Sequence, residues 1–190
     1  MKSLVVSQLA PDFAGTGIQD LPVPEPKPGE VRVAVKAASL NFPDLLMTEG
    51  KYQLKPELPF TLGMELAGVV DAVGEGGTAF KPGDEVTGGS RIGAFSEYIT
   101  LPAAGLRKKP AALSFAEASA YGAAYLTAYV SLAIRGNLQP GETLLVHGAS
   151  GGVGMAAVEV GKLLGATVIA TSASDEKLKT VKARGADHVI

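Results

Sequence analysis

Between the apolar run Thr143-Leu144-Leu145-Val146 and a helix-like stretch that begins at Met155, the chain reads His147-Gly148-Ala149-Ser150-Gly151-Gly152-Val153-Gly154. Residues 149–154 fit the pattern A-x-G-x-x-G, a variant of the dinucleotide fingerprint with alanine at its first position. Glycine suits such a junction for three reasons: the turn is tight, the backbone must come close to a pyrophosphate, and the following helix must pack hard on the strand. The free N–H groups and the positive end of the helix dipole would then face the phosphates. Ala149, Ser150, Gly151, Gly152, Val153 and Gly154 are therefore the first candidate binding residues. Small residues also serve ordinary tight turns, so the context has to decide: a strand before, a helix after, and a second strand at Thr167-Val168-Ile169-Ala170-Thr171-Ser172.

The end of that second strand selects the cofactor. An acidic residue there would take the ribose hydroxyls of NAD, whereas this chain has Ser172, followed by Ser174, Asp175, Glu176 and Lys177 at the start of the next helix. A 2′-phosphate could be held by Ser172, Ser174 and the helix N-terminus, with Lys177 supplying charge, and this favours NADPH. A plainer reading stands beside it, in which Ser174 is an N-cap, Asp175 and Glu176 suit any first turn, and Lys177 is simply solvated.

Two kinds of framework position these residues. Glycine and proline, 24 and 12 of the 190 residues, cluster before position 110, with short β-type runs between them at 31–35, 68–73 and 95–99 and a first strand in the opening MKSLVVSQLA. After Pro110 come a helical stretch over about 114–134, a turn at 139–142, then strand, helix, strand, helix and a strand start at 187–190, an alternation that predicts β-α-β units in a parallel sheet. Composition excludes other classes. Apolar residues are 46% and charged residues 19%, and 17 basic residues nearly balance 19 acidic ones, so neither disorder nor a nucleic-acid or acidic-membrane partner is indicated. Absence of cysteine rules out disulfides and thiolate metal sites and suits a cytoplasmic setting. The amino-terminal apolar stretch is too short for a signal peptide, and residues 111–134, interrupted by Glu117 and Gly122, read as a small-residue core helix and not as a membrane span.

Several motifs together resemble the zinc-independent quinone oxidoreductase branch of the medium-chain dehydrogenase/reductase superfamily: Leu40-Asn41-Phe42-Pro43-Asp44, Gly50-Lys51-Tyr52-Gln53, Leu58 to Gly68 (LPFTLGMELAG), Leu126-Thr127-Ala128-Tyr129, and HGASGGVG. The resemblance implies an α/β plus β fold: a GroES-like β-rich catalytic domain over 1–125, then the first half of a Rossmann domain over 126–190, with NADPH in the cleft between them. It implies hydride transfer to a quinone. Enones, alkenals and acrylyl-type thioesters are the alternative, since they too accept hydride at an electron-poor carbon.

Zinc-dependent relatives carry Gly-His-Glu where this chain has Gly63-Met64-Glu65, and a cysteine near the place of Asn41; with no cysteine and only His147 and His188, no metal site is expected. The substrate carbonyl would then be polarised by hydrogen bonds. The family pattern puts Asn41, Asp44 and Tyr52 near the nicotinamide, with Asn41 a donor to the substrate oxygen and Tyr52 a donor or proton relay. Thr127 resembles the family residue that touches the nicotinamide ribose or ring. Each has a plainer alternative: Asn41 and Asp44 as helix caps, Tyr52 as a rim aromatic, Thr127 as an ordinary helix hydroxyl. His147, at the carboxyl end of its strand, reads as a packed or hydrogen-bonded residue and stays outside the catalytic set.

Family members are longer, so the chain is expected to be a truncated form, with an apolar strand at 143–147 that lacks a neighbour on one edge. Such an edge invites pairing, and a homo-oligomer, a dimer, is expected. A second function class also stays open: a non-catalytic remnant that binds only the ADP half of the cofactor.

Overall fold

The computed structural model describes residues 1–190 and divides the chain into two compact units, Met1–Gly122 and Ala123–Ile190. The break falls inside the stretch expected as one helix over 114–134, where the sequence reading put the boundary after residue 125.

The first unit is built from β1 (Lys2–Val6), β2 (Thr16–Asp20), β3 (Glu30–Ser39), α1 (Phe42–Thr48), β4 (Phe60–Thr61), β5 (Glu65–Val73), β6 (Glu85–Gly89), β7 (Tyr98–Pro102), β8 (Leu106–Lys108) and α2 (Phe115–Ala120). Five strands form an antiparallel sheet in the order β7-β3-β5-β6-β8, and three more form β2-β1-β4. Period-two alternation explains the larger sheet. Val31 and Val33 of β3 point inward with Leu66 and Val70 of β5 and Val86 of β6, all at most 1% exposed. Each such side chain contributes roughly 1.5–3 kcal/mol by leaving water. Two register shifts in β3, between Arg32 and Val33 and between Val35 and Ala37, bend the strand, and its last residue, Ser39, pairs directly with Glu65 at the start of β5. A second cluster, Val6, Met47, Phe60 and Leu62, seats α1 and takes Tyr52 and Met64 against its side. Ser114 and Glu117 cap α2 reciprocally, the Ser114 hydroxyl accepting the Glu117 N–H at 3.2 Å and the Glu117 carboxylate accepting the Ser114 N–H at 2.8 Å.

Sequence periodicity predicts one helix here, but the structure has three segments: α2, then α3 (Gly122–Tyr129), then a π-helical turn over Val130–Arg135. The first break coincides with a tertiary contact. A β-carbon on Gly122 would lie 2.6 Å from Glu65 Oε1, so the start of α3 runs close against that carboxylate.

The second unit continues with β9 (Thr143–Val146), α4 (Gly152–Leu163), β10 (Thr167–Ala170), α5 (Asp175–Ala183) and β11 (His188–Val189). Its sheet is parallel, in the order β11-β10-β9, so β9 is an edge strand and Leu145 is 50% exposed. This is the order of one mononucleotide-binding half of a doubly wound fold. Val146, Val158, Val168, Ala170 and Val181 form the core between the sheet and its helices. No helix is long and apolar enough to cross a membrane.

An ion pair closes the unit. Lys162 Nζ of α4 donates to both Asp187 oxygens, at 2.9 and 2.8 Å, while Asp187 Oδ2 also accepts the Val168 N–H at 2.7 Å. The Lys162 hydrogen bond, helped by the Val168 N–H, holds the Asp187 carboxyl below the usual range. A lowered carboxyl pKa stabilises the fold above the unfolded value and loses that contribution as pH falls through the folded one. Asp187→Asn should therefore lower the melting temperature at neutral pH and reduce its decline in acid, as read by thermal denaturation across an acid series; an unchanged acid limb would show that the pair does not anchor the unit.

Candidate functional site

The loop that connects β9 to α4 is shaped by two glycines. Gly148 takes the left-handed conformation, with φ at +60°, while Ala149 has an ordinary negative φ and is completely buried. Alanine is thus acceptable at the first fingerprint position because the left-handed residue stands one place earlier. At the last position a side chain is impossible without displacement: a β-carbon on Gly154 would lie 2.4 Å from Gly148 O and 2.8 Å from Ala149 Cα.

Around Gly152 a β-carbon would meet open space, which is the place a phosphate would need. Gly151 caps α4 without a side-chain hydrogen bond, and the first turn holds no acid. Its N–H groups have no acceptors within the helix, so the loop fits a pyrophosphate by shape and polarity.

The corner beyond β10 lies beside this loop. Ser172 Oγ is 2.8 Å from Ser150 Oγ, and Thr171 Oγ1 is 3.2 Å from His147 Nδ1. Ser174 caps α5, its hydroxyl accepting the Lys177 N–H at 3.5 Å, and thereby fills the capping role the sequence allowed it. Lys177 is exposed and forms no ion pair. The Ser172 hydroxyl stands where an NAD-type carboxylate would be, and Asp175 and Glu176 share the first turn of α5 with Lys177.

In the first unit, Asn41 is at the N-terminus of α1, beside the Ser39–Glu65 pair. Its Nδ2 donates to Ser39 Oγ and to Glu65 Oε2, both at 3.1 Å, and Ser39 Oγ donates to Glu65 Oε2 at 2.9 Å. A carboxylate only accepts, so it dictates which end of the amide faces it. The NH2 end of the amide is therefore the one turned toward Ser39 and Glu65, and the Asn41 side chain also takes part in the capping box that starts α1. Glu65 and Ser39 were not among the candidates. The available signal was one acid in the otherwise apolar stretch Leu62 to Val70.

Asp44 has no exposed surface. Its Oδ2 accepts the Asn41 N–H at 2.8 Å, the back-reach of a capping box, and its Oδ1 is buried without a hydrogen-bond partner. The Gly63 N–H approaches the carboxylate and favours its charged form, but without the geometry of a full hydrogen bond. Asp44 therefore holds α1 in place and reaches a substrate only through another group. Tyr52 is half-buried against the Met47–Phe60–Leu62 cluster, and Thr127 is exposed on α3. No three His, Asp or Glu side chains converge into a group that could hold a metal ion.

Burial raises the Asp44 pKa above the usual carboxylate value, with the Glu65 charge adding to it and the Asn41 and Gly63 N–H groups opposing. A carboxyl raised in this way stabilises the fold below its unfolded pKa, about 3.9, and that contribution is lost as pH rises through the folded value. Asp44→Asn keeps an acceptor for the Asn41 N–H and removes the titration. Urea midpoints of the variant, measured from about pH 4 to about pH 7, should lack the part of the pH dependence that Asp44 gives the parent chain; parallel curves would exclude this carboxyl as its source.

Comparison with known proteins agrees with this geometry. Residues 27–111 match the alcohol dehydrogenase GroES-like domain family and residues 152–190 match the zinc-binding dehydrogenase family. The chain is 44% identical over 167 residues to the synaptic vesicle membrane protein VAT-1 homolog of Rattus norvegicus, covering 88% of this chain and 41% of that protein. To the quinone oxidoreductase of Homo sapiens it is 39% identical over 171 residues, covering 90% of this chain and 52% of that protein. The Escherichia coli quinone oxidoreductase crystallised with NADPH superimposes with a TM-score of 0.94 at 33% identity, over 100% of this chain and 58% of that one. The chain thus spans about half the length of the curated relatives it matches. With a GroES-like unit followed by a β-α-β-α-β dinucleotide-binding half, it belongs to the medium-chain dehydrogenase/reductase superfamily.

Proposed function

We propose that this chain carries the cofactor loop and the polar substrate residues of a reductase that passes hydride from NADPH to a quinone without zinc. One observation carries the reading: the Gly148–Gly154 loop leaves room for a pyrophosphate beside the end of β10, where Ser172 and not an acid occupies the strand-end position. Similarity to quinone oxidoreductases, one of them solved with NADPH, supports it. So does Asn41, whose amide is already tied to Glu65, at the place of a zinc-binding cysteine.

When bound, NADPH supplies the hydride. The residues of this chain have three tasks. Backbone N–H groups of residues 152–154 bind the pyrophosphate and Lys177 with Ser172 binds the 2′-phosphate. The Tyr52 phenol, which has no hydrogen-bond partner within the fold, donates to a quinone oxygen and polarises the carbonyl. The oxygen takes up one proton from solvent, relayed through the Tyr52 phenol, as the hydride arrives, and Asn41 with Ser39 and Glu65 forms the polar cluster at the start of α1.

Turnover tests the reading directly: NADPH and 1,4-benzoquinone should be consumed one for one, with NADH a poorer donor. Faster reduction of an enone or alkenal would move the substrate class to activated alkenes. Cofactor binding without turnover of either would identify a binding half that does no chemistry by itself. Lys177→Ala should weaken NADPH binding about fivefold to tenfold and leave NADH unchanged, measured by calorimetric titration; equal loss for both cofactors would remove Lys177 from the 2′-phosphate site.

A further inference from the structure

Ser150 lies in the glycine loop, where a hydroxyl would ordinarily be counted among the pyrophosphate ligands. Its Oγ is instead committed sideways, 2.8 Å from Ser172 Oγ on the neighbouring strand end. The backbones that carry the two hydroxyls are fixed on both sides. The Ala149 N–H donates to Thr171 O at 2.9 Å, and the Thr171 N–H donates to Val146 O at 2.9 Å. Both serines are half-buried.

Each hydroxyl has one proton and can also accept, so the pair has two orientations. If Ser172 donates to Ser150, its proton is spent and it presents only lone pairs outward. If Ser150 donates to Ser172, the Ser172 proton is free. A 2′-phosphate accepts and does not donate, so only the second orientation binds it; a ribose 2′-hydroxyl can be met by either.

We infer that Ser150 is a positioning residue for cofactor choice: its hydroxyl donates to Ser172 Oγ and so turns the Ser172 O–H toward an adenosine 2′-phosphate. Ser150 acts through Ser172 and not on the pyrophosphate. The inference rests on the NADPH reading above and adds to it a one-way donor chain, Ser150 to Ser172 to phosphate, that runs from the loop after β9 to the end of β10. Hydrogen bonds that end on a charged acceptor are shorter and stronger than neutral ones, and a donor behind them strengthens them further.

The test is a double-mutant cycle on this chain with two probes that differ only in the 2′-phosphate, adenosine 2′,5′-bisphosphate and 5′-AMP, titrated calorimetrically. Ser172→Ala should lower the affinity ratio of bisphosphate to 5′-AMP roughly tenfold. Ser150→Ala should lower it about threefold to tenfold without changing 5′-AMP binding, and Ser150→Thr, which keeps the hydroxyl, should restore it. The double variant should match Ser172→Ala alone, because Ser150 has no effect once its acceptor is gone. Thermal denaturation of each variant checks that the loop is intact.

Additive losses in the double variant, or equal weakening of both probes by Ser150→Ala, would overturn the positioning role while leaving NADPH preference in place. A parent chain that binds the two probes alike, or binds neither, would overturn the NADPH reading and this inference with it.

Discussion

At Gly154 the first turn of α4 passes so close to the preceding loop that a single β-carbon would stand 2.4 Å from Gly148 O. That approach fixes where the helix begins, and much of the second unit follows from it. It aims the N-terminus of α4 at the space above Gly152. It seats the helix on β9 and β10, where Val158 joins Val146 and Val168 in the core. It also holds the loop against the end of β10, so that Ser150 meets Ser172 and His147 meets Thr171. Protein interiors are packed too densely to absorb an extra methyl group between two backbones, which makes this a constraint and not a preference.

The first unit has its own polar centre, set by sheet register. Ser39 and Glu65 are opposite one another because β3 and β5 pair in that register, and two bulges in β3 help to establish it. A buried carboxylate needs hydrogen-bond donors, and Ser39 and Asn41 supply them. The Asn41 NH2 group is thereby turned toward Ser39 and Glu65. Asp44, one turn along, is enclosed and ties the start of α1 to the same cluster.

The two polar sites share a design in which a group that would face a ligand has its orientation decided by a neighbour behind it. Glu65 chooses the face that Asn41 presents, and Ser150 limits the choices open to Ser172. In both cases the neighbour is a poor candidate from sequence, since Glu65 sits in an apolar strand and Ser150 in a loop whose glycines attract the attention. Orientation of this kind costs little when it is built into the fold, and it narrows the chemistry a site can do.

Much of the fold was legible in the sequence. The glycine loop, the strands on either side of α4, the turn-rich β region and the absence of an acid at position 172 all follow from local rules: steric limits on tight turns, hydrophobic period, and the preferences of helix caps. Motif resemblance supplied the family, and with it the expectation of a GroES-like unit before a dinucleotide-binding one. The helical stretch expected over 114–134 is present but divided into segments. Its periodicity is continuous, and the chain is helical over 115–135 except at Tyr121, beside the approach of Gly122 to the Glu65 carboxylate. The orientation of the Asn41 amide is likewise set from outside its own segment, since a side-chain amide has two ends and its residue type does not say which one faces Glu65. Local chemistry is written in consecutive residues, and the sequence by itself determined that much; which end of a side chain is free depends on partners brought together by strand register and loop packing, and only the tertiary structure decided those.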